Sequence, residues 1–393
     1  MDIMAFGSAH SSPSRDLSEW ATKPRKAGRV LQIVGDGDPG GGTTVVLALT
    51  RWLAEQGISV SLASHRNSYI IAEANRFGIE TLEFDFSARA RSIQHAKDLT
   101  RYLRHVGRDV ILHAHGGRAA LPAALIPKRF RSGMIFTIHG HHYRQKQGIL
   151  RHLGWRSDRF SIRRSATTVF VSEGDWRIAK EDHLLGPGDR FEVIPNGCPN
   201  TGPLMAAPEF DLAYLGRVVT AKNIMILPDI LLAMRPARPK LCIIGGGEAE
   251  AALRDRVDQF GLSDQVTFFG SLTHEDAMLR LAQTRVLILP SLWEGMPVSV
   301  IEAMHHGIPV VCANIPGTRE LVTDGETGFL IDDNDVNAFA ERLGRLATDH
   351  RLYHSMSALA LRKARDKFSI DRNFQAHLTL YRRMLGDDVD LVR

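Results

Sequence analysis

Val286-Leu287-Ile288-Leu289-Pro290-Ser291-Leu292-Trp293-Glu294-Gly295-Met296-Pro297-Val298-Ser299-Val300-Ile301-Glu302-Ala303-Met304 is the stretch that decides the fold. Four apolar residues in a row read as a buried strand, which Pro290 ends. Pro297 is expected near the first position of the following helix, where proline is tolerated, and Gly307 reads as its C-terminal stop. A helix N-terminus offers unpaired N–H groups and a partial positive charge, so it suits a phosphate. Glu294 sits in the turn before the helix and Glu302 inside it. Glu302 lies about 7 Å along the axis from Pro297 at ~1.5 Å per residue, an offset that fits the step from a phosphate to a ribose. An acid at each position could hold hydroxyls on either side of a bound diphosphate. The plain alternative is a core helix with two solvated glutamates.

Working outward, apolar strands alternate with helical stretches, which argues for parallel sheets with covering helices. A first series is read at 29–34, 60–63, 110–113, 135–138 and 168–171. A turn-rich stretch, Pro195-Asn196-Gly197 to Pro203, interrupts it. A second series follows at 212–215, 241–244, 266–269 and 286–289. An interdomain linker is therefore expected near 198–208.

The chain has 393 residues, enough for two domains with sizeable cores. Its apolar share of 44% and charged share of 24% are those of an ordinary soluble globular protein. Cys198, Cys242 and Cys312 are far apart, with no metal-type spacing. That favours a reducing compartment without a disulfide framework. Residues 1–27 are rich in serine and charge and lack the apolar centre of a signal peptide, so a flexible tail is expected. No stretch is apolar for the length of a membrane span. A cytoplasmic location is the expectation, with peripheral binding at the inner face of the membrane as an addition.

Charge is divided unevenly. Residues 1–200 hold 28 Lys and Arg against 19 Asp and Glu, while the remainder holds 21 against 25. From Arg118 to Arg164 there are eleven basic residues and one acid, Asp158. Ile149, Leu150, Leu153 and Trp155 lie there beside Arg151 and Arg156. The stretch reads either as a solvated surface or as a face for anionic lipid or a phosphorylated acceptor. Gly154 weakens the case for a helix there. Nucleic acid is not an expected partner, because no recognisable binding motif accompanies the basic residues.

Several short motifs remain. Gly35, Gly37 and Gly40 fit a dinucleotide loop, and Arg66 after the second strand could serve an NADP phosphate. An NADP-dependent oxidoreductase is thus the alternative function. Gly40-Gly41-Gly42-Thr43 opens an apolar helix, and its glycines allow close approach of a ligand or simply a tight turn. Thr137-Ile138-His139-Gly140 ends a strand, where ligands collect in open α/β sheets. Gly216-Arg217 and Lys222 follow the first strand of the second series, and Gly245-Gly246-Gly247-Glu248 follows the next.

Glu294-Gly295-Met296-Pro297 through Glu302, with Gly307-Ile308-Pro309-Val310-Val311 behind them, resembles the signature of glycosyltransferase family 4, whose members are retaining enzymes. The resemblance covers roughly residues 29–370. It implies an α/β chain with the GT-B fold, two Rossmann-like domains with parallel sheets facing a central cleft. Residues 28–203 would form the acceptor-side domain and 204–370 the nucleotide-sugar-binding domain. Residues 371–393 would form a helix crossing back to the first domain. The implied reaction moves a hexose from a nucleoside diphosphate sugar, a UDP-sugar before GDP-mannose, to an acceptor hydroxyl. The expected acceptor is a lipid-linked saccharide of cell-surface polysaccharide synthesis.

By the same resemblance, His139, Arg217, Lys222 and Glu294 are the catalytic candidates. His139 would face the donor sugar, Arg217 and Lys222 would neutralise the diphosphate, and Glu294 would hold the sugar. Gly41, Gly42, Gly216, Gly246, Gly295, Met296, Pro297, Val298 and Glu302 would complete the donor site, with Glu302 on the ribose. No cofactor and no metal are implied. Asp36-Gly37-Asp38 resembles a metal motif of a different glycosyltransferase fold, but two aspartates in a glycine-rich turn are read as turn-formers.

Overall fold

The computed structural model describes residues 29–86, 91–107, 109–200, 202 and 208–385. The expected tail at 1–27 and much of the expected linker lie outside the described residues, as do the last eight residues of the expected C-terminal helix.

Two wholly parallel sheets carry the fold. The first has the order β3-β2-β1-β4-β5-β6-β7. Its strands are β1 Arg29–Val34, β2 Ser59–His65, β3 Glu80–Phe84, β4 Val110–His115, β5 Met134–Ile138, β6 Thr167–Phe170 and β7 Phe191–Val193. The second has the order β10-β9-β8-β11-β12-β13. It is built from β8 Phe210–Leu215, β9 Leu241–Ile244, β10 Val266–Gly270, β11 Thr284–Leu289, β12 Val310–Ala313 and β13 Gly328–Ile331. In both, the strand that begins the unit lies inside the sheet, and the order reverses beside it. Loops at the carboxyl ends next to such a reversal line a crevice, which is where α/β sheets bind ligands.

Burial on both faces explains the strand sequences. Val30, Leu31 and Ile33 are fully buried, as are Cys242, Ile243 and Leu287. Helices cover each face and separate cores form beneath them. The C-terminal helix, Ile370–Leu385, packs on the first sheet: Phe374, Leu378 and Tyr381 share a core with Val30, Ile111 and Ile135.

The basic stretch contains a continuous helix, Gly148–Arg164. Gly154 does not break it, and a Cβ there would stand 2.7 Å from the Cβ of Tyr143. The glycine lets the helix lie close against the Tyr143 backbone and Cβ. Trp155 turns inward, its indole N–H donating to the Asp182 carbonyl at 2.8 Å. Ile149, Leu150 and Leu153 stay exposed, at 68%, 61% and 51%. Much of the positive charge is tied into the fold. Arg144 forks onto Asp182, Arg131 reaches the Ile126 and Arg164 carbonyls, and Arg159 reaches the His183 carbonyl.

Candidate active site

The turn after β11 is organised around one carboxylate. Glu294 is 9% exposed, and its Oε1 accepts from Ser291 Oγ at 2.7 Å and from Lys222 Nζ at 2.5 Å. Charge-assisted bonds of this kind are the strong ones, and they fix both side chains before any ligand arrives. Lys222 comes from a one-turn helix, Thr220–Lys222, after β8. Between them, the buried Tyr214 hydroxyl donates to the Arg217 carbonyl at 2.7 Å and pins the Gly216–Arg217 turn. The Arg217 side chain is exposed and has no ion pair among the described residues. The glycine turns after β8 and β9 pack backbone to backbone. A Cβ on Gly245 would lie 2.0 Å from the Gly216 carbonyl oxygen, and one on Gly247 2.3 Å from that of Val218. The Gly246 carbonyl accepts from Val218 N–H at 2.9 Å and joins the two turns.

Pro297 is the N-cap residue, not the first helical one. Its ring holds φ at −68°, which a helix accepts, but ψ is 115°, so the helix begins one residue later as Val298–His305. No side chain caps this N-terminus. Asn196 donates to the Met296 carbonyl at 3.0 Å and ties the turn to the segment leaving the first sheet. Glu302 sits inside the helix, 8% exposed, and burial pushes its carboxyl up to about 7. Its neighbour is His274, with Nδ1 3.5 Å from Oε1. Burial and then His306 lower the imidazole of His274, so burial favours the neutral form of both partners. The pair is therefore not a strong ion pair near neutral pH.

The loops of the first sheet close over this turn. A Cβ on Gly41 would stand 2.8 Å from Cβ of Val298, and one on Gly295 2.9 Å from the Gly140 nitrogen and the His139 carbonyl carbon. Gly140, at φ +107°, lies against Trp293 and Gly295. Glycine at 41 and 295 is thus demanded by the approach of the two halves. His139 is neutral, its imidazole lowered to about 4 by burial and then by His142 and His377. Three buried polar atoms lack a partner at or beside this seam: His139 Nδ1, Trp293 Nε1 and Asp175 Oδ2. Buried polar atoms call for a partner, so each of these is an atom that water or a ligand would satisfy.

The structure therefore brings Gly41, Gly42, His139, Gly295 and Val298 to one seam, with the Lys222–Glu294 pair on the same turn. Glu302 lies about one helical turn into the Val298–His305 helix. Gly216 and Gly246 sit under the loop that carries Arg217. Sequence reasoning missed other members. Asp175, buried on the Glu173–Glu181 helix, has its Oδ2 2.9 Å from where a Gly295 Cβ would be. Burial and then Glu320 raise its carboxyl well above the usual range. The Ser172-x-x-Asp175 spacing of an N-cap was its visible signal. His142 was missed too. It is exposed at the surface of its loop, and desolvation, then Arg217, Lys222 and Arg118, lower its imidazole, so basic groups of both halves bear on it. Gly317 supports the turn from below: its Cβ would meet the Glu294 carbonyl oxygen at 2.5 Å. Asp36 accepts from the Asp38 N–H at 3.4 Å, a turn-forming contact. In the Gly35 loop, a Cβ on Gly35 would meet Arg118 and one on Gly37 would meet Ser68, so that loop is packed by the protein itself.

Comparison with known proteins follows this division. The family described as Glycosyltransferase Family 4 matches residues 39–199, and that described as Glycosyl transferases group 1 matches 205–362. The lipopolysaccharide core biosynthesis mannosyltransferase LpsB of Rhizobium meliloti is 30% identical over 179 residues, which is 43% of this chain and 50% of that protein. The match thus spans half the length of that relative. A UDP-Gal:alpha-D-GlcNAc-diphosphoundecaprenol alpha-1,3-galactosyltransferase of Escherichia coli is 25% identical over 69% of this chain and 74% of its own. Among solved structures, Anabaena HepE in complex with UDP-glucose superposes with a TM-score of 0.76 at 18% identity, over 90% of this chain and 99% of that one. The likeness in structure carries the GT-B fold, and family membership sets aside the nicotinamide alternative. With one family model on each sheet, the chain belongs to glycosyltransferase family 4 and is a glycosyltransferase of the GT-B fold.

Proposed function

We propose that this enzyme transfers a hexose, with retained anomeric configuration, from a nucleoside diphosphate sugar to a hydroxyl of a lipid-linked saccharide. The observation that carries the reading is the seam itself. Motif residues of both sheets, Gly41 with Val298 and Gly140 with Gly295, touch beside the uncapped N-terminus of the Val298–His305 helix. A diphosphate at that N-terminus meets N–H groups, Lys222 and the unpaired Arg217. Glu302, further along, would hold ribose hydroxyls, and Glu294 the sugar. The segment at 204–370 would be the donor side and 28–203 the acceptor side. A UDP-sugar is favoured, since HepE, of the same fold, binds UDP-glucose.

In the step itself, the bond from the anomeric carbon to the leaving phosphate oxygen breaks and one to the acceptor oxygen forms on the same face. The acceptor proton passes to the leaving phosphate. Charge grows on that phosphate, and each preorganised donor aimed at it contributes roughly 3 kcal/mol. Among the described residues no group of three His, Cys, Asp or Glu is placed to hold a metal. We expect transfer to persist in EDTA. Loss of activity restored by Mg²⁺ or Mn²⁺ would overturn this use of side chains and revive Asp36 and Asp38.

A lipid-linked acceptor brings in the exposed Ile149, Leu150 and Leu153 beside Arg151 and Arg156. No helix among the described residues is long and apolar enough to cross a membrane. We propose that this helix rests on anionic lipid, each basic residue adding about 1 kcal/mol near the surface. Co-sedimentation with vesicles should be strong on anionic lipid at low salt and weaken as salt screens the field. Equal partitioning onto neutral vesicles, or none onto either, would contradict it and favour a dissolved acceptor. The enzyme's expected place is then the inner face of the membrane.

A further inference from the structure

Inside the first sheet runs a continuous hydrogen-bonded chain of side chains, buried up to the half-buried His139, and the reading above uses only that last member. Gln32 lies on β1, His113 and His115 on β4, His139 after β5, and Tyr381 on the C-terminal helix. Gln32 Nε2 donates to Tyr381 Oη at 3.0 Å. The hydroxyl has one proton, which then goes to His113 Nδ1 at 2.6 Å. His113 Nε2–H donates in turn to Thr137 Oγ1 at 2.6 Å. On the other side, Gln32 Oε1 accepts from His115 Nε2–H at 2.8 Å. His115 Nδ1 is thereby an acceptor and takes the Nε2–H of His139 at 3.1 Å. His139 Nδ1 is left as a bare, buried lone pair without a partner.

Burial keeps every ring of the chain neutral. His139 is lowered to about 4, and His113 and His115 lie well below their ordinary value. A neutral imidazole has one N–H, so the direction of one bond dictates the next. Reversing the whole chain would put an N–H at His139 Nδ1 instead. Two features oppose that. Nδ1 lies 3.8 Å from where a Gly42 Cβ would be, at the start of the Gly41–Glu55 helix, which no side chain caps. The partial positive charge of that end favours a lone pair over an N–H. An orphaned buried N–H is also rarer than an orphaned acceptor.

We propose that Gln32 and Tyr381 are positioning residues: through His115 they hold His139 as the Nε2–H tautomer, so that its Nδ1 lone pair accepts from a hydroxyl of the donor sugar. The inference rests on the reading that His139 faces that sugar, but the tautomer is a property of the unliganded protein and is measured separately.

The test is nitrogen NMR of the full chain with isotope-labelled histidine, the His139 signals being those that vanish in His139→Asn. We expect a protonated Nε2 and a bare Nδ1 in the unsubstituted protein, and a mixture of tautomers in Gln32→Leu and in Tyr381→Phe. In both variants kcat/KM for the nucleotide sugar should fall about tenfold, the worth of one neutral hydrogen bond. Affinity for the nucleoside diphosphate alone should hold, which a general loosening of the fold would not allow. A protonated Nδ1 in the unsubstituted protein, or an unchanged tautomer in both variants, would overturn the proposal. Full transfer activity in His139→Asn would remove the sugar contact beneath it, whatever the tautomer.

Discussion

Glu302 stands 3.5 Å from His274 and has a carboxyl that burial has raised from 4.5 to about 7. Between those two values the folded protein holds a proton that the unfolded chain has released. Stability therefore falls as pH rises through this window, by about 3 kcal/mol from this group alone. Glu302→Gln should remove that slope, leaving the unliganded variant more stable than the parent at pH 8 and little changed at pH 4. It should also bind donor more weakly, since vicinal hydroxyls lose a charged acceptor. Donor affinity of the parent should rise from pH 6 to 8 as the carboxylate forms. Denaturant titrations and calorimetry at these pH values check all three, and parallel stability curves would contradict them. For Lys222→Ala the expected loss is about two orders of magnitude in kcat, because the growing phosphate charge loses a fixed donor. A loss confined to KM would move Lys222 out of the reacting site.

At the scale of elements, the turn from Pro290 to Pro297 is held from several sides. Gly317 is its floor, and Gly317→Ala would drive a methyl to 2.5 Å from the Glu294 carbonyl oxygen and 2.6 Å from that of Gly295. We expect the variant to lose about 1 to 3 kcal/mol of stability and to melt earlier, as overpacked sites do. An unchanged melting temperature would mean the turn yields freely. This element was legible in the sequence because its chemistry is local. The strands that could be read are apolar runs: β9 is unbroken, and β1 is apolar apart from Arg29 and Gln32. β3, Glu-Thr-Leu-Glu-Phe, is half polar because it is an edge strand, and β7 is a three-residue edge. Neither carries the pattern of a central strand. Pro297, expected near the first helical position, is the N-cap one residue before it, since ψ at a proline cannot be read from its fixed φ.

At the scale of the molecule, the two sheets are joined by contacts that no sequence window contains. The Glu320 carboxylate, from the second half, accepts from Gly174 N–H at 2.6 Å and Glu173 N–H at 3.1 Å, capping a helix of the first half. Tyr381 reaches Gln32 across nearly the whole chain. The motif residues could be identified singly, whereas Asp175, His142 and Gly317 have meaning only once the halves meet. A thermal-shift titration of the purified chain, in EDTA, with UDP-sugars and GDP-sugars and with NADP alongside, bears most directly on what this cleft does. We expect one nucleoside diphosphate sugar to stabilise the protein by about 2.7 kcal/mol at 100 times its Kd, and that shift to shrink in Glu302→Gln and Lys222→Ala. No shift with any nucleotide sugar, a shift with NADP instead, or an undiminished shift in both variants would contradict it.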